Sequence, residues 1–291
     1  QAARVSYGRG TTNVNRDKGL IRYLLRHRHS TPFEMVELKF HAKMPIFVAR
    51  QWVRHRTANI NEYSLRYSEA RDDFYIPKKE DIHFQSKFNK QGRNADEVPD
   101  ALKEKVIQYF TKISENSFDI YQDLNEAGIA RELARAILPV NLYTEWYWKN
   151  DLHNTFHLLK LRMDTHAQYE IRVFAKGMAK FVKQVAPIAY EAFEDYVLNG
   201  MYLSSIEKSV LTKKIPHHIT KEIYDDIVYR IVASMNATKP RAENELYVLY
   251  QETGGCDSIE DFEIKWNAGN IETGNVFELR EFKAKFKDIF I

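Results

Sequence analysis

Hydrophobic and polar positions along the 291 residues fall into a few distinct rhythms. Over residues 36–44 the apolar side chains alternate as Val36, Leu38, Phe40, Ala42 and Met44, with Glu37, Lys39, His41 and Lys43 between them. A period of two belongs to a strand with one buried face. The rhythm returns after Pro139, where Val140, Leu142, Thr144, Trp146 and Trp148 alternate with Asn141, Tyr143, Glu145 and Tyr147, and predicts a second strand. Elsewhere the spacing is helical. Leu20, Ile21, Leu24 and Leu25 predict a helix over 18–27. A second is expected over 102–124 with Gly128 as its stop, and a third over 130–138, with Glu132 and Arg135 in reach of each other. Asp151 suits a helix N-cap, and the helix behind it is expected to run to about Val185. Leu152, Phe156, Leu159 and Met163 form its inner stripe, while His153 with His157 and Arg162 with His166 are spaced one turn apart. A last helix over 190–198 ends at Gly200.

The joints between these elements carry their own signals. Residues 4–7 (RVSY) read as a short strand or turn, followed by a loop at Gly8 and Gly10. HSTPFE (29–34) reads as a helix exit, because Pro32 disfavours a helical Thr31. Pro45 ends the first strand and suits the first turn of a helix that would carry Arg50 and Arg54, and Gln51 and His55, one turn apart. Residues 68–101 have no convincing period and read as a long loop. The whole pattern predicts an α/β (α+β) fold, a sheet core flanked by long helices. Past Gly200 the texture changes, which divides the chain into a domain of residues 1–202 and a C-terminal extension, 203–291, of unknown role. The extension holds a helix candidate at 220–235, a two-faced stretch near 245–250 and an amphipathic close at 276–290.

Composition narrows the function classes. With 44% hydrophobic and 13% aromatic residues the chain can build a packed core, unlike a disordered protein. A formal charge of +3 is too small for bulk nucleic-acid binding, so the basic residues matter by position. The single cysteine, Cys256, leaves no internal disulfide and fits a reducing compartment. No apolar run approaches a membrane span, no signal-peptide pattern opens the chain, and a cytoplasmic protein without membrane or nucleic-acid partners is expected.

One stretch gathers the chemistry: RQWVRHRTANINEYSLRY, residues 50–67. Arg50, Arg54, Arg56 and Arg66 surround His55, Glu62 and Ser64, and four guanidiniums so close repel one another unless an anion sits among them. Arg grips phosphate with a planar fork of donors. The stretch therefore reads as a site for a nucleotide-sized anion. Its bland alternative, a solvated basic face, is disfavoured by Trp52 and Val53 among the arginines and by the apolar IFVA (46–49) before them. None of the 11 glycines forms GxGxxG and no GK[ST] occurs, so phosphates must be held by side chains and helix ends. His153, His157 and His166 lack an HExxH or CxxC companion, and no metal is expected. Cys256 has no histidine near it in sequence, and Ser64 lacks the GxSxG elbow of a nucleophile. Two classes remain: an enzyme acting on a nucleotide, and a non-catalytic nucleotide- or RNA-binding module using the same arginines.

Arg54-His55-Arg56, seven residues and then Ser64 resembles the signature of the flavin-dependent thymidylate synthases. AARVSY (2–7), HSTPFE (29–34), PIFVARQW (45–52), NEYSLRYS (61–68), ARAILPVNLYT (134–144) and LRMDTHAQYEIR (161–172) resemble further blocks of that family, in its order. The likeness covers roughly residues 2–200. It implies the fold of the thymidylate synthase-complementing type and reductive methylation of dUMP to dTMP without an enzyme nucleophile. The carbon would come from 5,10-methylenetetrahydrofolate and the hydride from FAD reduced by NADPH. It also implies a homotetramer with active sites shared between subunits. By motif position Gln51, Arg54, Glu62, Ser64, Leu65, Arg66, Arg135 and Arg162 would hold dUMP. Ser6, Thr31, Arg54, His55, Arg56, Asn61, Glu62, His153, His157 and His166 would hold FAD. Arg162 would activate the uracil ring, and His29 would lie near flavin and folate. One departure stands out: Asp151 occupies a position where family members often carry Asn, and a carboxylate there suits a helix cap better than a flavin pyrophosphate. The loop FQSKFNKQGR (84–93) resembles a substrate-covering loop of some members.

Overall fold

A computed structural model describes residues 1–7, 14–86, 92–94, 96–202 and 204–205. In chain order the elements are α1 (Val14–Arg26), α2 (Thr31–Glu34), β1 (Glu37–Pro45), α3 (Ile46–Trp52), β2 (Asn59–Glu62), α4 (Asp100–Glu126), α5 (Arg131–Ala134), β3 (Tyr143–Asp151), α6 (Leu152–Met163), α7 (Tyr169–Val185) and α8 (Pro187–Phe193). The contacts separate two compact units, one built from residues of Gln1–Ser30 and from Ala186 onward, the other Thr31–Val185. The extension from residue 206 on, with its three predicted elements, and the centre of the 84–93 loop lie outside the described residues.

In the Thr31–Val185 unit three strands form a sheet in the order β1-β3-β2, every pairing antiparallel. Leu38 pairs with Asn150 and Met44 with Thr144, so the inward faces of the two predicted strands coincide. Leu38, Met44, Trp146 and Trp148 are buried, as the alternation required, whereas Val140 is exposed and the second strand starts only at Tyr143. Helices α3, α6 and α7 pack on this sheet or on one another. Trp52 is the hub: its ring meets Trp146 at 5.6 Å and Trp148 at 5.7 Å, both edge-on, and Phe174 of α7 at 6.1 Å. Edge contacts of this kind add to the area each indole buries. They also fix the end of α3, from which the arginine-rich stretch departs.

A second cluster gathers Ala70, Tyr121, Ala134 and Leu142 with Leu65, Phe74, Phe118 and Leu138 around them. The Tyr121 hydroxyl accepts from the Ala70 backbone N–H at 2.9 Å, which ties the segment after Ser64 to the long helix α4. In the other unit α1 packs on α8, and the buried Arg22 bridges Glu191 (3.1 Å) and Asp195 (2.6 Å). No described helix is long and apolar enough to cross a membrane.

Several expectations are corrected. HSTPFE is no helix exit: Thr31–Glu34 form a short helix, since Pro32 stands in a first turn where its missing N–H costs nothing. Of the two readings of residues 4–7, strand or turn, the structure takes the second, a 3-10 helix over Ala2–Tyr7. Helix α3 ends at Trp52, so Arg54 and His55 lie in the turn beyond it, not one helical turn above Arg50 and Gln51. Residues 59–62, for which the sequence pattern predicts no element, are a strand; all four side chains are exposed at the sheet edge, which leaves no alternation to detect. The run from 151 to 185 is two helices, parted at Asp164, whose ψ of 143° is extended. The 130–138 helix shrinks to α5 followed by a 3-10 turn at Arg135–Ile137. The last predicted helix begins at Pro187 and closes in a wider turn at Glu194–Leu198.

Candidate active site

The motif residues assemble in two clusters within the Thr31–Val185 unit. The first lies at the end of α3. As that helix unwinds, its terminal carbonyls lose their intrahelical partners. The Gln51 carbonyl accepts from Arg162 Nη2 at 3.3 Å, so a guanidinium from α6 sits at the negative end of α3. Arg162 Nε donates to His55 Nε2 at 3.0 Å. His55 is 7% exposed, and its ring meets that of His157 edge-on at 5.9 Å. Burial, with Arg162 and then His157 as neighbouring positive charges, lowers the His55 pKa from 6.5 to about 4. His55 is therefore neutral near pH 7, with the lone pair of Nε2 available to Arg162 and the proton on Nδ1. Burial also lowers the pKa of Arg162, which is half-buried and has no carboxylate partner among the described residues. Both its acceptors are neutral. The Gln51 side chain donates to the Gln168 side-chain oxygen.

The second cluster surrounds Ser64. Leu65 anchors it in the apolar group around Tyr121, and Ser64 Oγ accepts from the Arg66 backbone N–H at 3.3 Å. Arg66 pairs with Glu132 at 3.1 Å, an exposed contact. The partner expected for Glu132 was Arg135; the helix gives way to a tighter turn at Arg135, and Glu132 meets Arg66 instead. Arg135 is half-buried. Glu62, at the end of β2, accepts from Thr144 Oγ1 at 2.6 Å. Among the described residues no hydrogen bond or ion pair joins this cluster to the first.

The remaining motif residues are placed as follows. Arg54, Arg56 and Asn61 are exposed, and Arg50, Arg54, Arg56 and Arg135 have no carboxylate partner among the described residues. His153 and His157 share the exposed side of α6. His166 lies in the α6–α7 turn, not on a helix, where Asp164 accepts from its backbone N–H (2.8 Å) and contacts its ring (2.7 Å). Thr31 is exposed at the start of α2. Ser6 and His29 belong to the other unit, and the Ser6 side chain lies outside the described residues. Asp151 caps α6: Oδ1 accepts from the Asn154 backbone N–H at 2.8 Å and Oδ2 from its side chain at 2.7 Å. Sequence reasoning missed two participants, Gln168 and Thr144. Gln168 could have been sought in the HAQYE block, but only the break between α6 and α7 turns it towards Gln51.

No three His, Cys, Asp or Glu side chains group for a metal ion among the described residues. The donor set instead suits anions: guanidiniums without carboxylates, imidazoles, an amide and a hydroxyl. It fits the phosphates of a nucleotide and of FAD.

A sheet flanked by helices, with a guanidinium-rich site and no phosphate loop in the sequence, defines a nucleotide-binding class that holds its ligands by side chains. The family description "Thymidylate synthase complementing protein" matches residues 1–188, and the chain belongs to this family, the flavin-dependent thymidylate synthases. It is 49% identical over 247 residues to the flavin-dependent thymidylate synthase of Rickettsia bellii, covering 78% of this chain and 84% of that one. With that of Ruegeria pomeroyi it shares 55% over 209 residues, covering 70% and 69%. Among solved structures, a UMP/dUMP methylase, PolB from Streptomyces cacaoi bound with 5-Br UMP, superposes with a TM-score of 0.62 at 33% identity, over 68% of this chain and 89% of that one. The class is thus an enzyme, and the reading as a non-catalytic binding module is set aside.

Proposed function

We propose that this chain methylates dUMP to dTMP reductively, with 5,10-methylenetetrahydrofolate as carbon donor, and that Arg162 activates the pyrimidine. The observation that carries the role of Arg162 is its setting: a half-buried guanidinium held by two neutral acceptors, His55 Nε2 and the Gln51 carbonyl. Of its five N–H donors two are engaged, which leaves three and the whole positive charge for a ligand. A cation fixed beside uracil favours negative charge on the ring, because opposite charge lowers the pKa of an acid. Electron density then rises at C5, the carbon that must attack the one-carbon unit, and no enzyme nucleophile is needed. Because the cation is already oriented, it does not have to reorganise as charge develops.

Gln51, Arg54, Glu62, Ser64, Leu65, Arg66 and Arg135 bind the nucleotide. Their guanidiniums face phosphate, and the Ser64 hydroxyl keeps its proton to donate while Oγ accepts from Arg66 N–H. Thr31, Arg54, His55, Arg56, Asn61, Glu62, His153, His157 and His166 hold FAD; for Ser6 and His29 the family motif is the support. FAD reduced by NADPH would supply the hydride that completes the methyl group. The chain works as a homotetramer in the cytoplasm, and each active site joins the two clusters from different subunits. The motif blocks shared with the family support this reading.

Purified protein is expected to be yellow and to oxidise NADPH in a dUMP- and methylenetetrahydrofolate-dependent manner. Arg162→Ala is expected to keep fold and flavin and to lose turnover by about 100-fold or more, the scale of removing one transition-state donor. Near-normal turnover in that variant rules out the role given to Arg162.

A further inference from the structure

Glu62 is the one carboxylate among the residues read as nucleotide or flavin ligands, and the group that holds it comes from outside that set. It ends β2, is exposed, and has no Lys or Arg partner among the described residues. In the sheet it stands opposite Trp146 of β3. Side chains two apart on a strand share a face, so Thr144 is its diagonal neighbour there. The Thr144 hydroxyl donates to Glu62 Oε1 at 2.6 Å.

The two ends of this bond differ in stiffness. Thr144 is buried, and its partner across β1 is the buried Met44. A β-branched side chain has few χ1 choices, and a hydroxyl buried this far needs a partner. Among the described residues Glu62 Oε1 is the only one that hydroxyl has. An exposed glutamate left to itself spreads over several rotamers. Its direction matters in a site built for anions: a carboxylate turned towards phosphate repels it, whereas one turned towards an O–H or N–H accepts a hydrogen bond. With Oε1 engaged by Thr144, Oε2 is the oxygen left to meet a ligand.

We propose that Thr144 is a positioning residue for dUMP: its hydroxyl ties down Glu62 Oε1, so that Oε2 meets an O–H or N–H donor of the nucleotide instead of its phosphate. The inference rests on the reading of Glu62 as a dUMP ligand. Thr144→Val keeps the shape and removes the donor, and the carboxylate it releases is exposed to water, so no buried group is left unpaired. In enzyme saturated with FAD it is expected to raise Kd for dUMP, measured by calorimetric titration, about fivefold, the worth of one oriented hydrogen bond. The kcat at saturating dUMP should stay within about twofold. Thr144→Ser keeps the hydroxyl and should bind dUMP nearly as wild type does.

A double-mutant cycle with Glu62→Ala separates positioning from a general loosening of the sheet edge. If Thr144 acts through Glu62, Thr144→Val adds nothing once the Glu62 side chain is gone. An undiminished effect in the Glu62→Ala background overturns the role of Thr144 alone. So does an unchanged Kd in Thr144→Val beside a raised one in Glu62→Ala, or a Thr144→Ser variant as impaired as Thr144→Val. An unchanged Kd in Glu62→Ala overturns the reading of Glu62 as a ligand, and the role of Thr144 with it. Should Thr144→Val fail to fold, Thr144→Ser and Thr144→Ala, which differ by the hydroxyl alone, take its place in the cycle.

Discussion

Arg162 has lost part of its water without gaining a carboxylate, and that imbalance is what a ligand can relieve. The residue that holds it, His55, makes a pH prediction. With a folded pKa of about 4 against 6.5, the unfolded chain takes up a proton that the folded chain refuses between those values. The unfolding free energy should therefore fall as pH drops from about 6.5 towards 4 and be indifferent to this group above that window. His55→Ala should flatten that part of the profile, read by urea denaturation at pH 5 and pH 7.5; an unchanged slope contradicts a buried neutral imidazole. At this scale the sequence named Arg162, His55 and Gln51 through a motif but said nothing of their contacts. Residues 55 and 162 stand 107 positions apart, and only the packing of α6 and α7 with α3 sets them together.

Helix ends show how far local pattern can carry. Two helices finish in the same hydrogen-bonded loop. After α4, Gly128 has φ of 75°, its N–H meets the Asn125 carbonyl (3.0 Å), and Ile129 N–H meets that of Leu124 (2.9 Å). After α1, Arg28 takes φ of 60°, with Arg28 N–H on Leu25 (3.1 Å) and His29 N–H on Leu24 (2.9 Å). The first was legible because glycine marks it; the second was not, because an arginine holds the left-handed position. Gly128→Ala meets no atom within 4 Å, so its cost is conformational alone, about 1 kcal/mol of unfolding free energy in denaturant titration. Asp151 gives the companion test. Its cap of α6 should cost about 1 kcal/mol when replaced by Ala and little when replaced by Asn, which caps as well. A large loss in Asp151→Asn would point to a role for the carboxylate beyond capping. The alternating strands were readable for the same local reason, whereas β2, only four residues long and exposed on every one, carried no rhythm. The break at Asp164 was hidden because helical spacing continues across it.

At the scale of the whole molecule, one chain carries two groups of motif residues. Gln51, His55, His157 and Arg162 form one; Ser64, Arg66 and Arg135, resting on the Tyr121 cluster, form the other. Motif order places all of these residues in one family site, yet it cannot say whether one chain or several build it. Under the proposed reading, symmetric assembly brings the two groups together from different subunits. The direct measurement is complementation between two inactive variants, Arg162→Ala and Arg66→Ala, tagged differently, co-expressed and purified as mixed assemblies. If each active site takes its halves from different subunits, random mixing restores intact sites, with turnover near roughly a quarter of wild type. If mixed assemblies turn over dUMP no faster than the two parent variants, the site is built within single chains, and the central claim is wrong.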